Sequence, residues 1–515
     1  MNVARTQTEP AAGRAHRPGA ALAALAAAQF TVMLATSIVN VALPQIRAGV
    51  GLSDGSTTWV VNAYGLAFGA LLLAGGRAAD LLGRRRVLIA GLALFAAASL
   101  VAGLAAAAGL LIAARSVQGL AAAAIVPAAL ALAMEQFPTG PGRGKALGVW
   151  GAVSGAGGAA GVLLGGVLTQ AWGWPAIFHS VALGSALVLA AVAALVPPEA
   201  GHVAGRVAGP VDEPVSGLKF GLKAGRASGR FDLPGTATVT LALTCLVWGL
   251  TTARGAGWSD GGVVGALGAA VALLTAFALI ERRRPNALIP PRLLATGRVA
   301  TGNLLMALLG SVWIALFFFL PLYQQQVLGS GPLATGAGQL PLAAANMLGA
   351  AVAPRVSRRL GPATTVVAAL LTEAAGLLWL SRIGADGSYL ADVLGPSVLI
   401  GLGLSIAFVQ LTALAVEGVP PQDAGLAGGL VNTTRQVGGA IGLAALTTLA
   451  GSVTTHAAAR QPHLEALTAG YRTAFAVSAV VLTVTALLAL LLTRCTGRRK
   501  ATPVSPQPAP DPRAA

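Results

Sequence analysis

Fourteen apolar stretches fall along these 515 residues, and positive charge collects on every second connection between them. A helix needs about 20 apolar residues to cross roughly 30 Å of hydrocarbon. The stretches meet that length at 19–44, 57–76, 86–106, 109–134, 143–169, 176–196, 235–252, 261–281, 299–320, 335–353, 362–381, 390–414, 424–451 and 471–493. Backbone polar groups in lipid must be satisfied internally, and the segments are too long and too evenly apolar for barrel strands. The reading is an all-α, multi-pass membrane protein.

Charge sets the expected orientation. Of 34 Lys and Arg, 27 lie in the two tails and the even-numbered connections. Runs such as Arg84–Arg86, Arg282–Arg284 and the group Arg355, Arg358 and Arg359 carry the pattern. Five lie in odd connections (Arg47, Arg254, Arg382, Arg460, Arg472), and two, Arg115 and Arg435, lie inside spans. By the positive-inside rule both termini and the even connections face the cytoplasm, which places the chain in the inner, plasma membrane of the cell. A net charge of +17 beside membrane ends addresses anionic lipid and argues against nucleic acid as a partner.

No separate catalytic module is expected. Residues 1–18 read as a polar cytoplasmic tail with no cleavable signal, since the first span is too long for a signal-peptide core. Residues 197–232 read as a cytoplasmic linker, and 494–515 as a basic, then Pro-rich tail. Two cysteines, Cys245 and Cys495, and five scattered histidines match no disulfide framework or metal spacing, so no metal and no cofactor is expected.

A faint repeat runs through the chain. Arg77 to Gly83 follows the second span, and Arg355 to Gly361 follows the tenth with the same Arg-to-Gly spacing. The fifth span is glycine-rich (Gly148, Gly151, Gly155, Gly157, Gly158, Gly161, Gly165, Gly166), and so is the thirteenth. Both coincidences fall eight spans apart. They suggest related halves at 19–196 and 298–493, with two spans inserted at 233–285. Weak two-fold repetition is how many secondary transporters are built, with the substrate between halves near the midplane.

Several segments then resemble one family. Gly76-Arg-Ala-Ala-Asp80-Leu-Leu-Gly83-Arg-Arg-Arg86 is similar to the loop motif of the major facilitator superfamily. Leu34 to Pro44, Arg115-Ser-Val-Gln118-Gly119 and Gly161-Val-Leu-Leu-Gly165-Gly166 resemble the first-, fourth- and fifth-span motifs of its fourteen-span drug:proton antiporters. Leu320-Pro-Leu-Tyr323 and Asn432 to Gly439 add later matches. The resemblance implies a major-facilitator fold of two six-helix halves plus two inserted helices. It implies a transporter, not an enzyme, that exports hydrophobic or cationic drugs against inward proton flow. The partners would be a drug-like small molecule and protons, with a single chain as the working unit.

The same resemblance assigns roles. Asp80, Gly83, Arg84 and Arg77 would form a latch between halves, the acid facing a helix N-terminus of the other half; the plainer alternative is a solvated ion pair. Arg115 is linked to proton coupling, against the alternative of snorkelling. Gly161, Gly165 and Gly166 belong to the antiporter helix, and small residues also simply let helices pack closely. Two departures stand out: Ala35 occupies a place where these exporters often carry Asp, and Val162 one where they usually carry Pro.

With Ala35 removing the first-span acid, Glu373 is the one carboxyl deep in a span, and reversible protonation there suits a coupling role. Arg435 is a third coupling candidate; its alternative is a structural pairing across helices. Asn40, Gln118, Asn346, Gln410 and Asn432 are candidates for the cavity wall, because polar groups facing lipid are costly. Tyr64, Phe317 and Tyr323 would add an apolar wall for an amphiphile. Rival readings are an importer or uncoupled facilitator of a small metabolite, a membrane enzyme such as a lipid-modifying transferase, and a non-transporting sensor. The enzyme reading expects an acid or histidine cluster at one membrane face, and the sequence offers none.

Overall fold

The computed structural model describes residues 18–137, 140–197, 233–283, 291–295, 298–419 and 424–497. The expectations made for the N-terminal tail, for nearly all of the 197–232 linker and for most of the C-terminal tail lie outside those residues.

The described chain is helical. The first group is α1 (Pro18–Val50), α2 (Asp54–Leu82), α3 (Arg84–Gly103), α4 (Ala108–Gln136), α5 (Gly140–Trp172) and α6 (Pro175–Leu195). Two further helices follow, α7 (Leu233–Ala256) and α8 (Gly261–Arg283). A single turn, α9 (Pro291–Leu294), precedes α10 (Val299–Gln326), and a short α11 (Pro332–Gly338) precedes α12 (Leu340–Leu360). The chain ends with α13 (Pro362–Leu380), a π-turn at Tyr389–Leu394 that runs into α14 (Gly395–Ala415), then α15 (Ala424–Ala458) and α16 (His463–Gly497). Hydroxyls inside these helices donate to the carbonyl one turn back, as Thr31, Thr36, Ser99, Ser185 and Thr372 do. That keeps a polar side chain satisfied without water.

Among the described residues, thirteen helices are long and apolar enough to span a bilayer. The tenth expected span, α12, is long enough, but its last turns carry Arg355, Arg358 and Arg359. It still packs along α14 as an integral member of the bundle. The structure is therefore the expected all-α, fourteen-helix membrane fold. Taken as fourteen successive crossings, the long helices put both ends of the described chain at one end of the bundle, the termini face. The other end is the distal face.

The faint repeat becomes a repeat of packing. In the first group α2 packs on α4, α1 on α5, α3 on α4 and α3 on α6. Eight spans on, α12 packs on α14, α10 on α15, α13 on α14 and α13 on α16. The two Arg-to-Gly loops also share a backbone. Gly83 (φ 98°) and Gly361 (φ 80°) each end one helix in the left-handed region and donate N–H to a carbonyl four residues back, Ala79 and Ser357. A side chain at either glycine would be strained.

The glycine-rich helices do the same job in each half. A Cβ on Gly157 would lie 2.9 Å from the Phe30 carbonyl oxygen, and one on Gly165 2.5 Å from that of Ile38. Gly438 and Gly442 of α15 sit equally hard against the backbone of Ala307 and Ser311 on α10. Without Cβ atoms the α1–α5 and α10–α15 pairs approach to backbone contact, which is how helices gain dispersion energy when lipid offers no hydrophobic drive.

The two groups meet along three seams. α2 runs against α15, α1 touches α10, and α5 meets α11 and the start of α12. Leu66 and Ala70 of α2 join Ala440 and Ala444 of α15 and Leu243 and Val247 of α7 in one apolar cluster. The inserted pair thus leans on the bundle through α7, while α8 packs chiefly on α7.

Candidate functional site

The site grows from an Arg–Tyr stack at the contact of the two halves. Arg115 sits two turns into α4 and is 1% exposed. Its Nε donates to the Val60 carbonyl of α2 at 2.9 Å, and its Nη1 to the Gln118 Oε1 at 2.9 Å and to the Ala35 carbonyl of α1 at 3.4 Å. Its guanidinium carbon lies 4.4 Å from the centre of the Tyr64 ring. Gln118 passes the network on, donating to Ser99 of α3 at 2.7 Å. Gly119 is needed beside it, because a Cβ there would strike the Tyr64 carbonyl oxygen. Arg115 therefore does not snorkel; it ties α1, α2 and α4 together.

Arg435 lies on the other half, next to Gln436, which abuts Gly69 of the helix that carries Tyr64. It lies three turns into α15, and its guanidinium stacks 5.1 Å from the centre of the Trp313 ring of α10. Its one described hydrogen bond is a long one, 3.4 Å from Nη2 to the Asn432 Oδ1, and its buried Nε has no acceptor. The Tyr64 hydroxyl turns to α1. It donates to the Val32 carbonyl at 3.3 Å and meets the Thr36 hydroxyl at 3.3 Å. Gly69, one turn and a residue further along α2, marks the crossing with α15: a Cβ there would lie 2.6 Å from that of Gln436.

Open space adjoins this stack. A Cβ built on Gly65 of α2 or Gly158 of α5 meets no atom within 4 Å, although Gly65 is buried. Along α5, Gly148 and Gly151 likewise meet nothing, whereas Gly166 is pressed against the Pro332 carbonyl at 2.5 Å. The α5 seam is thus shut at the distal face and loosens toward the termini face.

Other candidates fall in several places. Asn40 is buried with an orphaned Oδ1, Asn346 and Phe317 are half-buried, and Asn432 is held by Arg435. Gln410 is spent within its own half, accepting from Ser357 at 3.0 Å and donating to the Ala353 carbonyl at 3.4 Å. Tyr323, which the sequence reading places on the cavity wall, sits at the distal end of α10. Its hydroxyl donates to the Gly384 carbonyl at 3.0 Å, and its ring packs edge-on to Tyr471. Glu373 is fully buried on α13 with neither carboxylate oxygen partnered, packed beneath Gly403 of α14. α13 packs on α14 and α16, so Glu373 stands behind the contact of the halves, not in it.

The loop motif is an ion-pair chain in the first half. Arg84 bonds Asp80 at 3.0 Å and also pairs with Glu135. Arg77 is half-buried beside them. Both pairs stay within the first half, and residues 420–423, just before α15, lie outside the described set. Gly161 and Gly165 face α1 of their own half, and Gly166 alone of the three meets the other half.

Sequence reasoning missed a distal lock. Gln325 donates to the Val41 carbonyl of α1 at 2.7 Å, Tyr471 donates to Gln326 at 2.5 Å, and the Leu333 N–H of α11 donates to Gln170 at 3.1 Å. Three successive glutamines ending an apolar span were the available signal.

A family model described as the Major Facilitator Superfamily matches residues 25–443. The chain belongs to that superfamily. It is 38% identical over 449 residues to a cephamycin export protein of Amycolatopsis lactamdurans, covering 86% of this chain and 88% of that one. It is 39% identical to a puromycin resistance protein of Streptomyces alboniger, covering 92% and 90%. A tetracenomycin C resistance and export protein of Streptomyces glaucescens is 34% identical over 86% and 78%. Among solved structures, an auto-inhibited POT family peptide transporter shares the fold with a TM-score of 0.64 at 16% identity, covering 96% and 98%. An inward-facing bacterial homolog of the lysosomal transporter Spinster gives 0.65 at 15%, covering 96% and 100%. Within the superfamily fold, Arg115 and Arg435 therefore sit on opposite sides of the contact between the two repeated halves.

Proposed function

We propose that this protein exports antibiotic-like small molecules across the plasma membrane in exchange for protons. The observation that carries the reading is likeness along most of the chain to proteins named for cephamycin export, puromycin resistance and tetracenomycin C export. The architecture supports it. Two similar groups of helices meet along narrow seams, one seam shut at the distal face and looser at the other. Rocking about the α2–α15 and α1–α10 contacts would close one side as it opens the other.

Both termini and the basic connections lie on the cytoplasmic side in this reading, and anionic lipid meets Arg84–Arg86 and Arg355–Arg359 there. The Asp80–Arg84–Glu135 chain would stiffen the cytoplasmic end of the first half and bias alternating access. Glu373 is the proton carrier: it is the mid-span acid, it is buried, and no described residue bonds its carboxyl. Because it lies against Gly403, gain or loss of its charge would act on the α13–α14 contact and only through that on the central space. Arg115 and Arg435 complete the coupling machinery at the contact itself.

The test is paired. Cells with and without the protein are compared for susceptibility to a broad antibiotic panel, and proteoliposomes are loaded with any compound that separates them. An imposed proton gradient should drive accumulation against the compound's own gradient; flux indifferent to the gradient would end the antiport reading.

A further inference from the structure

Outside their end turns, the helices that meet between the halves carry one buried cation, one half-buried cation and, among the described residues, no acid. Among the described residues α1, α5, α10, α12, α14 and α15 contain no Asp or Glu at all, and α2 and α4 carry them only in their end turns, at Asp54, Asp80 and Glu135. Arg115 nevertheless stacks on Tyr64 of α2, and Arg435 is next in sequence to Gln436, which abuts Gly69 of that same helix. Neither has a carboxylate partner among the described ion pairs. Arg115 spends its donors on carbonyls and one amide, whereas Arg435 keeps a buried donor unused and holds Asn432 only loosely. Ala35, where an acid would have balanced Arg115, gives only its carbonyl.

A half-buried guanidinium whose buried Nε–H finds no acceptor is costly, and the described residues around it do not offset the cost. Its fork is shaped for a planar anion such as a carboxylate. Trp313, itself edge-on to Phe408 at 5.3 Å, and Tyr64 place aromatic faces beside the two cations, as an amphiphile with an apolar body would need. We infer that the space between the halves selects an amphiphilic anion, whose carboxylate or acidic hydroxyl is taken by Arg435 in the positive field shared with Arg115. Cationic amphiphiles are excluded by the same field. This rests on the export reading and narrows its substrate class. It also supplies a driving force, because an inside-negative potential pushes an anion outward by about 2.3 kcal/mol per 100 mV per charge.

The experiment measures binding alone, so it does not depend on flux. The purified full chain in neutral detergent is dialysed to equilibrium against tetraphenylborate or tetraphenylphosphonium, two ions of like size and opposite charge, with empty micelles as reference. The anion should bind at least about tenfold more tightly than the cation. Arg435→Gln should abolish that preference and Arg435→Lys should restore most of it, both with an unchanged melting temperature. Equal binding of the two ions, tighter binding of the cation, or a preference untouched by Arg435→Gln would overturn the inference. So would loss of the preference on adding phosphatidylglycerol, since the cations would then belong to a lipid headgroup. A clear anion preference in a protein that moves no compound would instead leave the site standing and remove the export reading.

Discussion

The Ala35 carbonyl accepts a hydrogen bond from Arg115 at 3.4 Å, across the gap between α1 and α4. The residue that departs from the drug:proton antiporter pattern thus touches the arginine that matches it. With no carboxylate at 35, Arg115 pairs with no described acid and is anchored by two carbonyls and the Gln118 amide, so its charge stays available to the space between the halves.

Replacing Arg115 by Ala should destabilise the first half as well as stop export. It strips the Gln118 amide oxygen and two carbonyls of a donor, and one buried orphan alone costs about 1–3 kcal/mol. Arg115→Lys should fold better but lose activity, since one ammonium cannot reach Val60, Ala35 and Gln118 together. Thermal melting of the purified variants beside transport separates the two effects; an Ala variant as stable as the parent would refute the tie.

Two glycines on α5 should respond oppositely to one methyl group. At Gly165 a Cβ would crowd the Ile38 carbonyl at 2.5 Å, whereas at Gly158 it would meet nothing within 4 Å. Gly165→Ala should cost about 1–3 kcal/mol through a forced shift of α1 from α5. Gly158→Ala should be nearly silent in stability. Equal melting temperatures for the pair would contradict the packing.

Gly166→Leu should loosen the distal face. Its side chain would drive α11 off α5 at Pro332 and Leu333, where the seam is tightest. Cysteines placed at Leu333 should then react with impermeant maleimide several-fold faster from outside in intact cells, because opening populations shift with small free-energy changes. Unchanged reactivity would mean that this contact does not close the pathway.

Glu373→Gln keeps the shape of the buried side chain and removes its proton chemistry. Transport driven by a proton gradient should fall by about a hundredfold or more, the usual scale for a lost proton-transfer group. Binding between the halves should be unaffected, since Glu373 packs against Gly403 and not against the Arg–Tyr stack. Gradient-driven flux at the parent rate would take the carboxyl out of the mechanism.

Much of the fold was legible because lipid leaves a chain few options. Hydropathy and charge asymmetry placed fourteen helices in order, and the Gly83 and Gly361 loops carried the repeat into matching backbone turns. Helix ends were less legible: α15 runs on to Ala458 and α16 starts at His463, because polar turns continue a helix past the apolar stretch. The site was legible as residues but not as directions. These helices are apolar on nearly every side, so no periodic stripe says which face looks inward. Gln410 and Tyr323 were therefore grouped with Tyr64, although they bond Ser357 and Gly384 inside their own half. The π-turn at Tyr389–Leu394 and the short α11 left no periodic signal at all.

The central claim is export against a gradient through the contact of the two halves, with Arg115 on one side and Arg435 on the other. Its most direct test is accumulation of a labelled antibiotic, drawn from those that separate expressing from non-expressing cells, in inside-out vesicles energised to an acidic interior. Accumulation that collapses with a proton uncoupler and falls at least about tenfold in Arg435→Gln is the predicted result. Vesicles that accumulate the compound equally with and without the protein, or equally with Arg435→Gln, would contradict it.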